Sequence, residues 1–208
     1  VILNGATIGQ RAFSANSTTN IISFDSLTLE NCDVGAYAFA RCGFGDLTIC
    51  GESSIVGYSF LAITVTDEMQ LLDDVTFSSA SYLFTSSNSV FPTINHLYVD
   101  TDLTSTTGSN YPFFNYAVID ELEFGANANI VSDSAFNGAS IGSIKSFGGI
   151  TEIGVSAFGY LKTALEIHDA LVLSNATIGK TAFAVSSDTA AKITFSDLTL
   201  DNCTVGAE

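Results

Sequence analysis

Apolar and polar positions alternate along this chain in short runs, and the runs recur. They stand at VIL (1–3), LTL (27–29), LTI (47–49), VTF (75–77), LYV (97–99), LEF (122–124), IKSF (144–147), LVL (171–173) and LTL (198–200). A period of two places alternate side chains on one face, so each run predicts a short β-strand with one buried side. Roughly ten residues after each run comes a second pattern: glycine or a small residue, two residues, a small residue, then Phe. It reads IGQRAF (8–13), VGAYAF (34–39), VGYSF (56–60), SASYLF (79–84), SNYPFF (109–114), VSDSAF (131–136), IGVSAF (153–158) and IGKTAF (178–183). Helical periodicity is nearly absent; ALEIHDAL (164–171) is the one stretch open to either reading.

The anchoring Phe13, Phe39, Phe60, Phe84, Phe114, Phe136, Phe158 and Phe183 are separated by 26, 21, 24, 30, 22, 22 and 25 residues. Self-similarity at such a period is the mark of a solenoid. Each unit is one coil with a strand, a turn and a Phe plug, and no coil can bury its apolar edge alone, so coils must stack. The expected structure is mostly β, with a parallel sheet on one face, Leu27, Leu29 and their counterparts pointing inward, and the Phe side chains filling the interior from the opposite wall. The glycines ahead of the anchors (Gly9, Gly35, Gly57, Gly154, Gly179) are expected to permit a turn that a Cβ would block. Pro92 and Pro112 fall in the longer middle coils.

VGAYAFARC (34–42) matches in full the pattern IGxxAFxxC preceded by an LxL strand, and IGQRAF, IGVSAF and IGKTAF match its first half. In these residues the chain resembles the BspA-like leucine-rich repeats, over essentially its whole length. The coils around Phe84 and Phe114 depart from the pattern by lacking the Ile-Gly pair, and the cysteine after the anchor occurs only at Cys42. The resemblance implies a curved, right-handed leucine-rich-repeat solenoid of about eight coils. It also implies a surface-exposed or secreted protein that binds host proteins, other cells or its own kind without catalysis.

The two ends share more than neighbouring coils do. Residues 1–37 aligned with 171–208, with one insertion, give 19 identities, including ENCDVGA (30–36) against DNCTVGA (201–207). Residues 1–208 therefore read as a single solenoid domain with a super-repeat of about 170 residues (1–170) and a next copy beginning at 171. The expected partner is the protein itself, as a longer tandem array or by head-to-tail stacking into a filament. A host or cell-surface protein or glycan is the alternative partner.

Composition narrows the function. The formal charge is −16, from 22 acidic and 6 basic residues, a sign that repels phosphate backbones and anionic lipid, and no stretch of about 18 apolar residues occurs; neither nucleic-acid binding nor membrane insertion is expected. Ser and Thr total 47 residues and only 13% of the chain is charged, a hydroxyl-rich surface that suits an extracellular or cell-surface location.

Candidate chemistry is sparse. His96 and His168 lie far apart with no nucleophile motif, so no catalytic residue and no cofactor are assigned. The four cysteines form no CxxC pair; they are either buried thiols or, for Cys32 with Cys50, a disulfide between neighbouring coils. No EF-hand or nonapeptide calcium pattern occurs and no metal is assigned, Asp100 and Asp102 being the pair that would take one. Asn16, Asn175 and Asn202 fit the glycosylation acceptor pattern. The central strand positions Thr28, Thr48, Thr76, Tyr98, Glu123 and Thr199 are the candidate ligand-binding row, with Val172 interrupting it. The expected function is a non-enzymatic structural or adhesive scaffold, the alternative a module that recognises a protein or glycan through that strand face.

Overall fold

The computed structural model describes residues 1–15, 21–72, 74–77, 83–84, 90–104, 113–185 and 192–206, the side chains of 168 and 169 excepted. It is an all-β solenoid, and no helix occurs among the described residues. Ile2–Asn4, Ser23–Glu30, Gly43–Cys50, Thr64–Leu72, Thr93–Asp100, Val118–Phe124 and Ser140–Phe147 form a seven-stranded parallel sheet in chain order. Leu165–Ser174 and Ile193–Asp201 pair in parallel beyond it. ALEIHDAL is thus strand, with a register irregularity between Ile167 and Ala170.

A second wall consists of two-residue strands. Thr7–Ile8, Asp33–Val34, Ser54–Ile55 and Thr76–Phe77 form one ladder, and Ile130–Val131, Glu152–Ile153, Thr177–Ile178 and Thr204–Val205 another. Leu103 joins the second through a bridge to Val131. The run VTF (75–77) lies on this wall, which corrects its reading as a strand of the main sheet. That coil's long strand is Thr64–Leu72, where the alternation is interrupted by three successive outward residues, Thr66, Asp67 and Glu68, before resuming at Met69 and Leu71. A strict period-two search stops at such an irregularity.

Register turns sequence into columns. Leu27, Leu47, Met69, Leu97, Leu122 and Ile144 align across the sheet, all buried. Phe24, Phe44, Val65, Ile94, Ile119 and Ile141 make a second column. The eight anchor phenylalanines make a third, from the third wall. Their rings stack in unbroken succession from Phe13 to Phe183, with centroid separations of 5.2, 5.4, 5.4, 4.7, 5.1, 5.2 and 5.3 Å. These seven steps are seven turns of the solenoid. Phe124 and Phe147 meet the ladder edge-on from the sheet side, which is the favourable quadrupole arrangement.

The anchor wall is made of overlapping turns. Around Phe39, the amides of Ala38, Ala40 and Cys42 donate to the carbonyls of Gly35, Tyr37 and Phe39, while those of Phe39 and Arg41 donate to Ser59 and Leu61 of the next coil. Backbone donors are thus used alternately within the coil and along the axis, so the turn wall is as fully bonded as a sheet. The positive φ that such turns require falls two residues before the anchor, at Arg11, Tyr37, Tyr58, Ser134, Ser156 and Thr181, with φ between 53° and 63°. The glycines four before the anchor have ordinary φ. What forbids a Cβ there is the adjacent coil: at Gly35 it would lie 2.9 Å from the Gln10 nitrogen, and at Gly179 2.6 Å from the Gly154 carbonyl carbon.

Phe136 is fully buried between Phe114 and Phe158 with Phe124 against its edge. Phe136→Ala should cost about 3–5 kcal/mol, read as a fall in the urea midpoint. Phe13→Ala, at a part-buried rung, should cost clearly less; equal losses would mean that the ladder does not set the stability.

Candidate interaction surface

The outward side of the main sheet is built by the same register. Thr28, Thr48, Gln70, Tyr98 and Glu123 occupy successive strands at one level. Gln70 is the member that sequence reading missed. Thr76 does not belong to the row: it pairs with Ser54 on the second wall, and its amide and hydroxyl donate to the Ser53 carbonyl. The spacing carried the signal, since Thr76 stands eight residues before its anchor whereas Thr28, Thr48, Tyr98 and Glu123 stand 11 to 16 before theirs. Thr199 pairs with Val172 in the separate two-stranded sheet.

Polar side chains of this face link across five strands. Thr48 Oγ1 donates to Gln70 Oε1 at 3.4 Å, and Gln70 Nε2 to Glu68 Oε2 at 2.7 Å. Glu68 Oε1 meets His96 Nδ1 at 3.0 Å. His96 Nε2 faces Glu123 at 3.5 Å and Glu121 at 3.7 Å, and Lys145 Nζ lies 2.8 Å from Glu121 Oε2. His96 thus sits between two neighbouring strands with a carboxylate facing each ring nitrogen. The Tyr98 hydroxyl is held above its ordinary value, first by desolvation and then by the charges of Asp100, Glu123 and Glu68. The face offers carboxylates, hydroxyls and one phenol, which is the chemistry of recognition by hydrogen bond and charge. His168 lies in a strand, its side chain outside the described set.

The corner that follows the sheet uses its acids structurally. Asp100 accepts from the amide and the side-chain Nδ2 of Asn127 at 2.8 and 3.0 Å, and Asp102 Oδ1 accepts from the amides of Asn129 and Ile130 at 2.8 and 3.0 Å. Together with Glu52 and Asp74 they border an open groove of about 820 Å³. Among the described residues no group of three His, Cys, Asp or Glu side chains is placed to hold a metal ion. Asn31, Asn175 and Asn202 turn this corner with φ of 51° to 55°, which Asn tolerates better than most residues. Asn202 Nδ2 donates to Asn175 Oδ1 at 2.7 Å, so the nitrogen a glycan would need is already engaged at Asn202. Asn16 lies outside the described residues.

Cys32 and Cys50 are not bridged, so of the two readings the structure has the free thiols and not the disulfide. Cys50 stacks on Glu30 at the strand end, whereas Cys32 is around the corner, level with Ser53, whose Oγ accepts from its amide. The Cys32 thiol donates to the Leu3 and Glu30 carbonyls, both at 3.3 Å. Cys203 repeats the arrangement with Leu173 and Asp201.

Cys42 donates to the Phe13 carbonyl at 3.0 Å, and burial pushes its thiol up to about 12 from 9.0. A raised folded value means that the contribution of the neutral thiol to stability is complete below pH 9 and is lost as pH rises toward 12. At pH 8, iodoacetamide should alkylate Cys50 and Cys203 well before Cys42, read by peptide mass spectrometry. Cys42→Ala should flatten the loss of stability between pH 9 and 12. Early labelling of Cys42 would contradict its burial.

No curated protein and no solved structure matches this chain. The model of the BspA type leucine rich repeat region matches six copies, over residues 3–102, 33–166 and 89–203. Repeats of this type are known from surface and adhesion proteins, where they form non-catalytic scaffolds. The parallel strands, the periodic Phe plugs and this match agree, and the chain belongs to the BspA type leucine-rich repeat family.

Proposed function

We propose that this solenoid is a section of an extracellular, non-enzymatic structural or adhesive scaffold built from super-repeats of about 170 residues. The observation that carries the reading is that the repetition extends to structural detail. Cys32 and Cys203 bond corresponding carbonyls, and Asn31 and Asn202 share a φ of 51°. The shift from Cys32 to Cys203 is 171 residues, and the seven Phe steps from 13 to 183 span 170. A block of seven coils that returns to its starting side chains is suited to repetition along an axis, by covalent continuation or by copies joining end to end.

The polar track through Gln70, His96, Tyr98 and Glu123 favours a second reading, a module that binds a protein or glycan through its strand face. Electron microscopy with mass determination on native material separates the two. Continuous filaments with an axial repeat of roughly 34 Å, seven coils at ~4.8 Å, are expected of the scaffold. Discrete monomers that lose a captured ligand on Tyr98→Ala would transfer the function to the strand face.

A further inference from the structure

The charge of this molecule is segregated by wall. Among the described residues, the turn wall that carries the Phe anchors holds Arg11, Arg41, Lys162 and Lys180 against one acid, Asp133. Two of these cations rest on aromatic rings that hold them outward: Arg11 lies 5.3 Å from the Tyr37 centroid and Lys162 5.3 Å from that of Tyr116. Lys180 is exposed. The main sheet on the other side is acidic. Asp25, Asp46, Asp67 and Asp120 are exposed on its outer surface, Glu121 and Glu123 are part-exposed there, and its one lysine, Lys145, is paired to Glu121.

The acidic wall also has a shaped recess. On the outward side of their strand Gly43 and Gly45 leave a groove of about 410 Å³, lined also by Ile21, Ser23, Thr64 and Thr66. Asp25 and Asp67 flank it, and a Cβ on Gly45 would meet the Asp25 carbonyl and approach Asp67 Oδ2 to 3.3 Å. With Ile21 in its lining and a carboxylate on each side, the groove suits the stem and head of a long cationic side chain.

We infer that two copies of this chain associate side by side, the turn wall of one against the sheet of the other, with an Arg or Lys of the first entering the groove between Asp25 and Asp67. The inference does not rest on end-to-end joining; it concerns the flanks of the solenoid. Charge complementarity between the two walls is its basis. Net charge works against it, because each copy carries −16. Range decides the balance. The Debye length is ≈ 8 Å at physiological salt, so contacting walls feel each other while the bulk charges are screened. Near 0.01 M it is ≈ 30 Å and whole-molecule repulsion returns; near 1 M it is ≈ 3 Å and the wall attraction fades. Association should therefore peak at intermediate salt.

Sedimentation velocity on the chain at 0.01, 0.15 and 1 M NaCl tests this. The expected result is concentration-dependent association strongest at 0.15 M. Two triple variants follow, each checked for its native melting transition: Asp25→Lys/Asp67→Lys/Asp120→Lys and Arg11→Glu/Lys162→Glu/Lys180→Glu. Each alone should weaken association on the order of tenfold, and mixing the two should restore it. If either triple fails to fold, Asp67→Asn and Lys180→Gln replace them, with a smaller loss expected. A monomer at every salt concentration overturns the inference. So does association that ignores both charge changes, or a mixture that does not recover. End-to-end filaments lacking lateral contacts would overturn this inference and leave the scaffold reading intact.

Discussion

The rise from one coil to the next has to satisfy two kinds of contact at once. Parallel strands settle about 4.7–4.9 Å apart. The anchor rings sit 4.7–5.4 Å apart, close to that value, so face-to-face Phe stacking fits within the pitch that the backbone hydrogen bonds impose. A leucine or valine plug would fill the volume but would not stack, and a Trp would demand more room. Eight of the chain's sixteen Phe stand in this ladder, and the chain has no Trp. Everything else hangs on this match. Gly35, Gly154 and Gly179 stand where coils at this pitch leave no space for a Cβ, and the strained φ at Tyr37 or Ser134, of the order of 1–2 kcal/mol each for a non-glycine residue, is offset by the ring that each turn delivers to the core.

The parts of the fold legible in the sequence are those where one residue type has one role. Phe at a near-constant spacing could only be a repeated plug, and all eight anchors lie in the stacked ladder. Sequence and structure part company where a local pattern has two structural outcomes. Val75–Thr76–Phe77 alternates like a main-sheet strand, yet it lies on the short wall, because Met69 and Leu71 had already filled the sheet positions of that coil. Cys32 and Cys50 are neighbours in coil order but stand at different levels of the repeat, a distinction of register that composition does not carry. No metal is read from the acids at 100 and 102, and the structure shows what they do instead: Asp100 accepts from the amide and side chain of Asn127, and Asp102 Oδ1 from the amides of Asn129 and Ile130, in a stretch where the Ile-Gly signature has lapsed.

The surface was less legible because its side chains are free of the stacking constraint. Outward positions vary from coil to coil, Thr to Gln to Tyr to Glu along a single row, while the positions beneath them remain Leu, Ile, Val, Met or Phe. The architecture thereby separates two problems: the interior sets pitch and stability, and each wall can acquire its own charge and chemistry without disturbing the coils. The opposed charges of the turn wall and the sheet are one use of that freedom.

The direction of the inter-coil bonds has a mechanical consequence. Strands lie across the long axis, so a pull along that axis loads the bonds between coils in opening rather than in shear. They yield one coil after another instead of all together. Each released coil of about 24 residues gives out on the order of 80 Å of chain, far more than the ~5 Å it occupied when stacked. Under tension such a molecule lengthens in steps and dissipates work at each one, keeping its two ends connected while it does so.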